Sequence, residues 1–165
     1  MRGFTLIELM VVIFIVAILT GLSAPLFTQF TRNQRIKTAT SELTYALTLA
    51  RGEALKRNVA VVLEPDADGW EFGWTVTTTD PDGNELVLLS HAAPAYMDDG
   101  DRVSHLSITG PDDVTYTGSG RLDAAVGGFE IESASGESAG AKTRCVAIEL
   151  SGLPRSTISD SGDCP

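Results

Sequence analysis

The sequence predicts an α+β protein in which one long N-terminal α-helix packs on antiparallel β-sheets. Three observations carry this. Residues 4–57 read first as an unbroken apolar helix and then as an amphipathic one. From residue 58 onward no helix-length period recurs, and short β-branched segments alternate with Gly, Pro, Asp and Asn. Charge divides at the same boundary: residues 1–57 hold seven Lys/Arg and three Asp/Glu, residues 58–165 five and nineteen. A length of 165 residues suits one modest domain plus a membrane segment. The net charge of −10 therefore belongs to the second part. An acidic surface repels phosphate, which argues against non-specific nucleic-acid binding.

The first element is a membrane segment of unusual design. After Glu8 no charge appears until Arg32, and residues 9–19 are entirely apolar. With Thr20, Gly21, Leu22 and Ser23 the run approaches the roughly 20 residues that cross a bilayer core. A cleaved secretory signal would be cut after such a run, at a small-x-small site, which Ala17 and Ser23-Ala24 imitate only weakly. The basic region is only Met1-Arg2-Gly3, and a carboxylate heads the apolar run. Burying that charge costs roughly 2.5–3.5 kcal/mol on insertion scales, so Glu8 needs a partner. The segment contains no Lys, Arg or His. A cut between Gly3 and Phe4 would supply a free amine at nearly the same depth. In a stack of like helices, Glu8 of one subunit would then meet the amine of the next and set their stagger. The plainer reading is an interfacial glutamate without a role.

Pro25 follows, and proline removes a backbone donor and kinks or breaks a helix. From Thr31 the pattern is amphipathic. Leu43, Ala46, Leu47, Ala50, Ala54 and Leu55 recur at spacings of three and four, while Arg32, Arg35, Lys37, Arg51, Lys56 and Arg57 take other faces. Asn58 is the expected stop. A helix over residues 4–57 would be about 80 Å long. Strands are expected at residues 59–63, 70–79, 86–90, 103–108, 114–117, 129–132 and 145–150, several alternating apolar with polar as half-buried antiparallel strands do.

Gly3-Phe4-Thr5-Leu6-Ile7-Glu8-Leu9 before an apolar run resembles the processing motif of type IV pilins and type II secretion pseudopilins. Leu49-Ala50-Arg51-Gly52-Glu53-Ala54-Leu55-Lys56-Arg57 resembles a helix pattern of the GspH/FimT/FimU group. So do Trp70, Gly73-Trp74-Thr75-Val76, Gly120-Arg121, Arg144-Cys145-Val146-Ala147-Ile148 and Gly152-Leu153-Pro154-Arg155. The resemblance covers nearly the whole chain and is tightest over residues 3–57. It implies a pilin-like fold with a leader at residues 1–3, a transmembrane and filament-core helix at 4–24, an amphipathic helix at 25–57 and a β-rich periplasmic domain at 58–165. It implies cleavage between Gly3 and Phe4 by a prepilin peptidase, methylation of the Phe4 amine, and the assembly role for Glu8. Pro25 matches a proline common at this place in the family. The implied protein sits in the inner membrane with a single pass and then at a pilus or pseudopilus tip. Its implied partners are other minor and major pilins or pseudopilins. The two-cysteine C-terminus favours a minor pilin that primes type IV pilus assembly in the tip complex. A minor pseudopilin of type II secretion and a DNA-binding minor pilin are the alternatives, as is a plain unprocessed anchor carrying a sensory domain.

Cys145 and Cys164 enclose 18 residues and can form a disulfide in an oxidising periplasm; two free thiols are the alternative. No Cys/His cluster has metal-ligand spacing. Asp80-Pro81-Asp82-Gly83-Asn84-Glu85 resembles part of a calcium loop, but the twelfth residue from Asp80 is His91 rather than a bidentate Glu. It reads as a turn, as do Asp66-Ala67-Asp68-Gly69 and Asp98-Asp99-Gly100-Asp101. DNA-uptake members of the group carry a Gly-Arg-x-Arg motif. Here only Arg155 carries over, since Leu153 stands at the first arginine. His91 and His105 are far apart in sequence, and no nucleophile elbow, phosphate loop or zinc motif occurs, so neither an enzyme nor a cofactor is expected.

Overall fold

The computed structural model describes residues 5–134, 142–159 and 164, with the backbone alone at 21–26. Helix α1 runs from Leu6 to Arg57. Its start is fixed by a capping box: Glu8 N–H donates to Thr5 Oγ1 at 3.3 Å, and Thr5 N–H donates to Glu8 Oε2 at 3.1 Å. Its stop is Asn58, whose φ of 55° is a left-handed conformation that asparagine tolerates. The helix continues through Pro25, against the expected interruption. A single proline removes one rung of the ladder, and the turns on either side of it keep theirs.

Ten strands follow: β1 Val61–Asp66, β2 Gly69–Thr79, β3 Glu85–Ala92, β4 Ala95–Asp98, β5 Asp101–Ser104, β6 Leu106–Thr109, β7 Val114–Tyr116, β8 Phe129–Ser133, β9 Thr143–Ile148 and β10 Pro154–Ser159. They form a sheet in the order β3-β2-β1-β7, a second in the order β10-β9-β8-β6, and a β4-β5 hairpin. Every pairing is antiparallel. The expected single strand over 103–108 is two strands broken at His105. They serve different sheets, β5 pairing with β4 and β6 with β8. Strands β4 and β10 had no signal in the sequence because neither faces a core: β4 is exposed throughout and β10 over its four central residues.

Both larger sheets close on one stripe of α1. Ile36, Ala39, Leu43, Ala46, Leu47, Ala50 and Ala54 are buried, at spacings of three and four. Against them lie Val61, Leu63, Trp74, Val76, Val114, Tyr116, Phe129, Ile131 and Val146. Thr40, buried on the same stripe, donates its hydroxyl to Ile36 O at 2.7 Å and so leaves no polar group unpaired. Leu55, expected in the stripe, is 49% exposed, because it lies off the face that Ala54 presents. The stripe begins instead at Ile36.

The acidic segments at residues 66–69, 80–85 and 98–101 form turns. Asp80 Oδ1 accepts from the N–H groups of Asp82 at 2.9 Å and Asn84 at 2.8 Å. These bonds hold its carboxyl below the ordinary Asp range, the Asn84 backbone contributing most. Arg102 pairs with Asp66 at 3.0 Å and Asp68 at 3.3 Å, and lies over the Phe72 ring.

Candidate functional site

The functional residues fall at two ends of α1. At the first, Leu6, Ile7, Leu9, Met10, Val11, Val12, Ile13, Phe14, Ile15, Val16, Ile18 and Leu19 are all exposed. No part of the described chain covers this half of the helix. Counted over the described residues alone, no helix is long and apolar enough to cross a membrane. Glu8 sits in the first turn, where its carboxylate accepts from Thr5 and opposes the partial positive charge of the helix N-terminus. Gly3 and Phe4 lie outside the described residues. Pro25 lies within the helix, about 26 Å along the axis from Glu8 at 1.5 Å per residue.

Within the β-domain, Cys145 and Cys164 are bonded, with Cα atoms 5.5 Å apart. The bond ties the C-terminal tail to β9, whose Cys145 faces Thr157 of β10. Arg155, on β10, is exposed, and its Nε lies 3.5 Å from Glu149 Oε1. Beside it the sequence motifs converge. Arg51 Nε donates to Gly120 O at 2.9 Å. Gly152 has a φ of 83°, and a Cβ there would meet Gly120 O at 2.3 Å, so no side chain fits. Tyr116 is fully buried under this junction. Its hydroxyl has no hydrogen-bond partner among the described residues. Burial pushes its pKa up to about 12, and nearby Arg51 offsets this in part. Helix, β7 and the β9–β10 loop are thereby locked together.

A third feature was not legible in the sequence. Between α1 and the sheets lies a cavity of about 370 Å³, lined by Phe30, Arg35, Ala39, Glu42, Trp74 and both histidines, among others. His91 and His105, 14 residues apart, thus reach one space. Trp74 and His91 are cross-strand partners whose rings stack at 4.3 Å, and His91 Nε2 lies 3.6 Å from Glu42 Oε2. The β2–β3 register brings Trp74 and His91 together, with Glu42 reaching them from α1, and Gly73 permits the close strand approach: a Cβ there would strike His91 O at 2.2 Å. Nothing in this geometry places a nucleophile beside a base.

Comparison with known proteins agrees with this layout. Residues 39–152 match the family described as type II transport protein GspH, and residues 1–24 match the prokaryotic N-terminal methylation motif. Compared with curated proteins, the chain has no match. It is similar to crystal structures of the type IV minor pilin FimU of Pseudomonas aeruginosa (strain PAO1). In space group P21 the identity is 24% and the TM-score 0.57, over 82% of this chain and 96% of that one. In space group P65 the identity is 22% and the TM-score 0.55, over 78% and 96%. At these identities the likeness establishes a shared pilin fold. With more than two thirds of its length matched, the chain belongs to the GspH family and bears the methylation motif at its N-terminus.

Proposed function

We propose that the chain is a structural subunit, a minor type IV pilin that primes pilus assembly and resides in the tip complex. The observation that carries this is the bare apolar helix headed by Glu8. A helix with that much uncovered apolar surface needs a bilayer or other helices around it. The methylation motif over residues 1–24 supplies the means of moving from one to the other. In this reading a prepilin peptidase cuts between Gly3 and Phe4 and the Phe4 amine is methylated. Glu8 then exchanges its capping partner Thr5 for the amine of a neighbouring subunit. Until then the subunit is held in the inner membrane by one span, its domain in the periplasm. The Cys145–Cys164 bond favours a minor pilin over a pseudopilin within the family.

Intact mass and N-terminal sequencing of protein from membranes test the processing: the expected chain starts at Phe4 and is heavier by one methyl group. A start at Met1 overturns the reading. Deletion of the gene is expected to lower surface filaments, and Glu8→Ala to do the same. The family match, described for type II transport, favours a second reading as a minor pseudopilin. A secretion defect without a filament defect selects it. DNA uptake has less support, since Arg155 is paired with Glu149 beside an acidic domain; a salt-dependent gel shift lost in Arg155→Ala would establish it.

A further inference from the structure

Four strands end the two larger sheets among the described residues: β3 and β7 the first, β10 and β6 the second. An edge strand offers unpaired N–H and C=O groups. Proteins guard such edges by shortening them, covering them, or placing Pro and charged side chains on them. Three of the four edges are guarded in this way. β7 has three residues, and the return at 117–123 bonds over it, Asp123 N–H donating to Thr115 O at 3.0 Å. β6 has four residues. β10 opens on Pro154, which has no N–H, and carries exposed Arg155. β3 is unlike them. It runs for eight residues, Glu85–Ala92, and holds no Pro, Lys or Arg. Among the described residues no backbone bond from another segment reaches its outer side. Its one irregularity is a bulge at Leu88, where Val87 and Leu89 face consecutive residues of β2. The bulge adds twist, which works against an extended flat stack of strands but leaves short pairing open on either side.

The register with β2 says what an added strand would meet. Leu86 and Leu89 stand opposite Thr78 and Val76, on the side toward the core; Val87 and Ser90 stand opposite Thr77 and Thr75, on the other. Leu86 is 38% and Val87 55% exposed, so apolar side chains are bare on both sides of the edge. A strand laid beside β3 would gain main-chain bonds along its length and apolar neighbours for alternate side chains, the mode of β-strand addition.

Charge identifies the strand that fits. Residues 58–101, which hold β1 to β4, contain ten Asp/Glu and no Lys/Arg. Glu85 opens β3 itself, and Glu42 of α1 lies beside its other end, at His91. A second copy of the chain is a poor occupant. Joining two β3 edges would set one such acidic segment against another, and like charges facing across an interface oppose association. A basic strand is attracted by the same field and can set Lys or Arg near Glu85 and Glu42.

We propose that the β3 edge is a docking site for an extended segment of a different protein, one that alternates apolar residues with Lys or Arg and joins the sheet as a fifth strand. The surface belongs to the domain, so the inference does not depend on how the helix is anchored.

The test uses the full chain in non-ionic detergent and three labelled eight-residue peptides. One alternates Lys with Val, one alternates Glu with Val, and one is the first with Pro in place of two Val. Fluorescence anisotropy is expected to show the Lys–Val peptide binding at least about tenfold tighter than either of the others. The Glu peptide isolates charge; the Pro peptide, of unchanged charge, isolates strand pairing. On binding, hydrogen exchange at the amides of residues 85–92 should slow by about tenfold or more. Val87→Lys is expected to weaken binding by about tenfold, while Val87→Thr, and Ser156→Lys on the β10 edge, leave it within about twofold. Val87 is exposed, so its variants should keep the fold, and their unfolding midpoints check this. Should Val87→Lys not fold, the peptide comparison and the exchange map on the unmodified chain decide by themselves. Equal binding of the Lys–Val and Pro peptides would mean attraction by charge alone, and protection centred on β6, β7 or β10 would put the site elsewhere. Either result overturns the proposal, as does no binding. A chain that dimerises in sedimentation, and stops doing so in Val87→Lys, assigns the edge to a second copy and also overturns it.

Discussion

Opening the Cys145–Cys164 bond is expected to destabilise the β-domain by about 3 kcal/mol. The two residues are 19 apart in sequence, and the chain-entropy relation for a loop of that size gives close to this value near 25 °C. The folded state should survive, because β10 keeps its ladder to β9 over six residue pairs. The assay is urea unfolding of the full chain in detergent, followed by Trp70 and Trp74 emission, with and without reductant. With a slope of about 1–3 kcal/mol/M, the midpoint should fall by about 1–3 M. Cys164→Ser should match reduction. Cys145→Ser should cost more, since Cys145 is only 2% exposed and a hydroxyl in its place would be buried. A loss under about 1 kcal/mol would refute the reasoning, as would equal costs for the two variants. Either result would mean that the tail is held by contacts other than the bond, or that the unfolded chain is already compact.

Three further outcomes follow from the packing. Leu47→Ala removes a fully buried side chain from the stripe shared by both sheets and should cost about 3 kcal/mol in the same unfolding assay. Gly152→Ala should cost at least about 2 kcal/mol, because the left-handed φ of 83° and the clash with Gly120 O act together; a neutral result would mean that the β9–β10 loop relocates freely. Tyr116 gives a pH dependence. Its folded pKa of about 12 lies above the unfolded value near 10, so the folded state holds the proton more tightly. Its contribution is full below about pH 10 and is lost as pH rises through 12, by about 2–3 kcal/mol. Tyr116→Phe should flatten stability between those values and, having no hydrogen bond to lose among the described residues, should not weaken the fold at neutral pH.

Periodicity made legible whatever it could reach. The helix stripe from Leu43 to Ala54 and the stop at Asn58 stand as expected, as do seven apolar runs that became strands or pairs of strands. Alternation reports a strand only when one face meets a core, so β4 and β10, bare on both sides, left no trace. The acidic turns were readable because Asp, Gly and Asn close turns by local bonds, as Asp80 does. Long-range pairs carry no such local sign. Arg51 to Gly120 spans 69 residues, and nothing in either stretch names the other. His91 looked idle for the same reason: its meaning lies in the register that sets it on Trp74.

The composition of α1 explains why one helix can serve two environments. Within the domain its buried stripe interleaves small Ala39, Ala46, Ala50 and Ala54 with Leu43 and Leu47, so two sheets approach one helix closely from adjacent sides. That packing fixes the C-terminal half as the floor of the domain. The N-terminal half presents large apolar side chains on every face, and no single partner surface covers a helix all round. The helical backbone is continuous through residue 25, so the exposed first half and the domain share one element. The only charge on that half, Glu8, has a local hydrogen-bond partner in the backbone N–H and hydroxyl of Thr5.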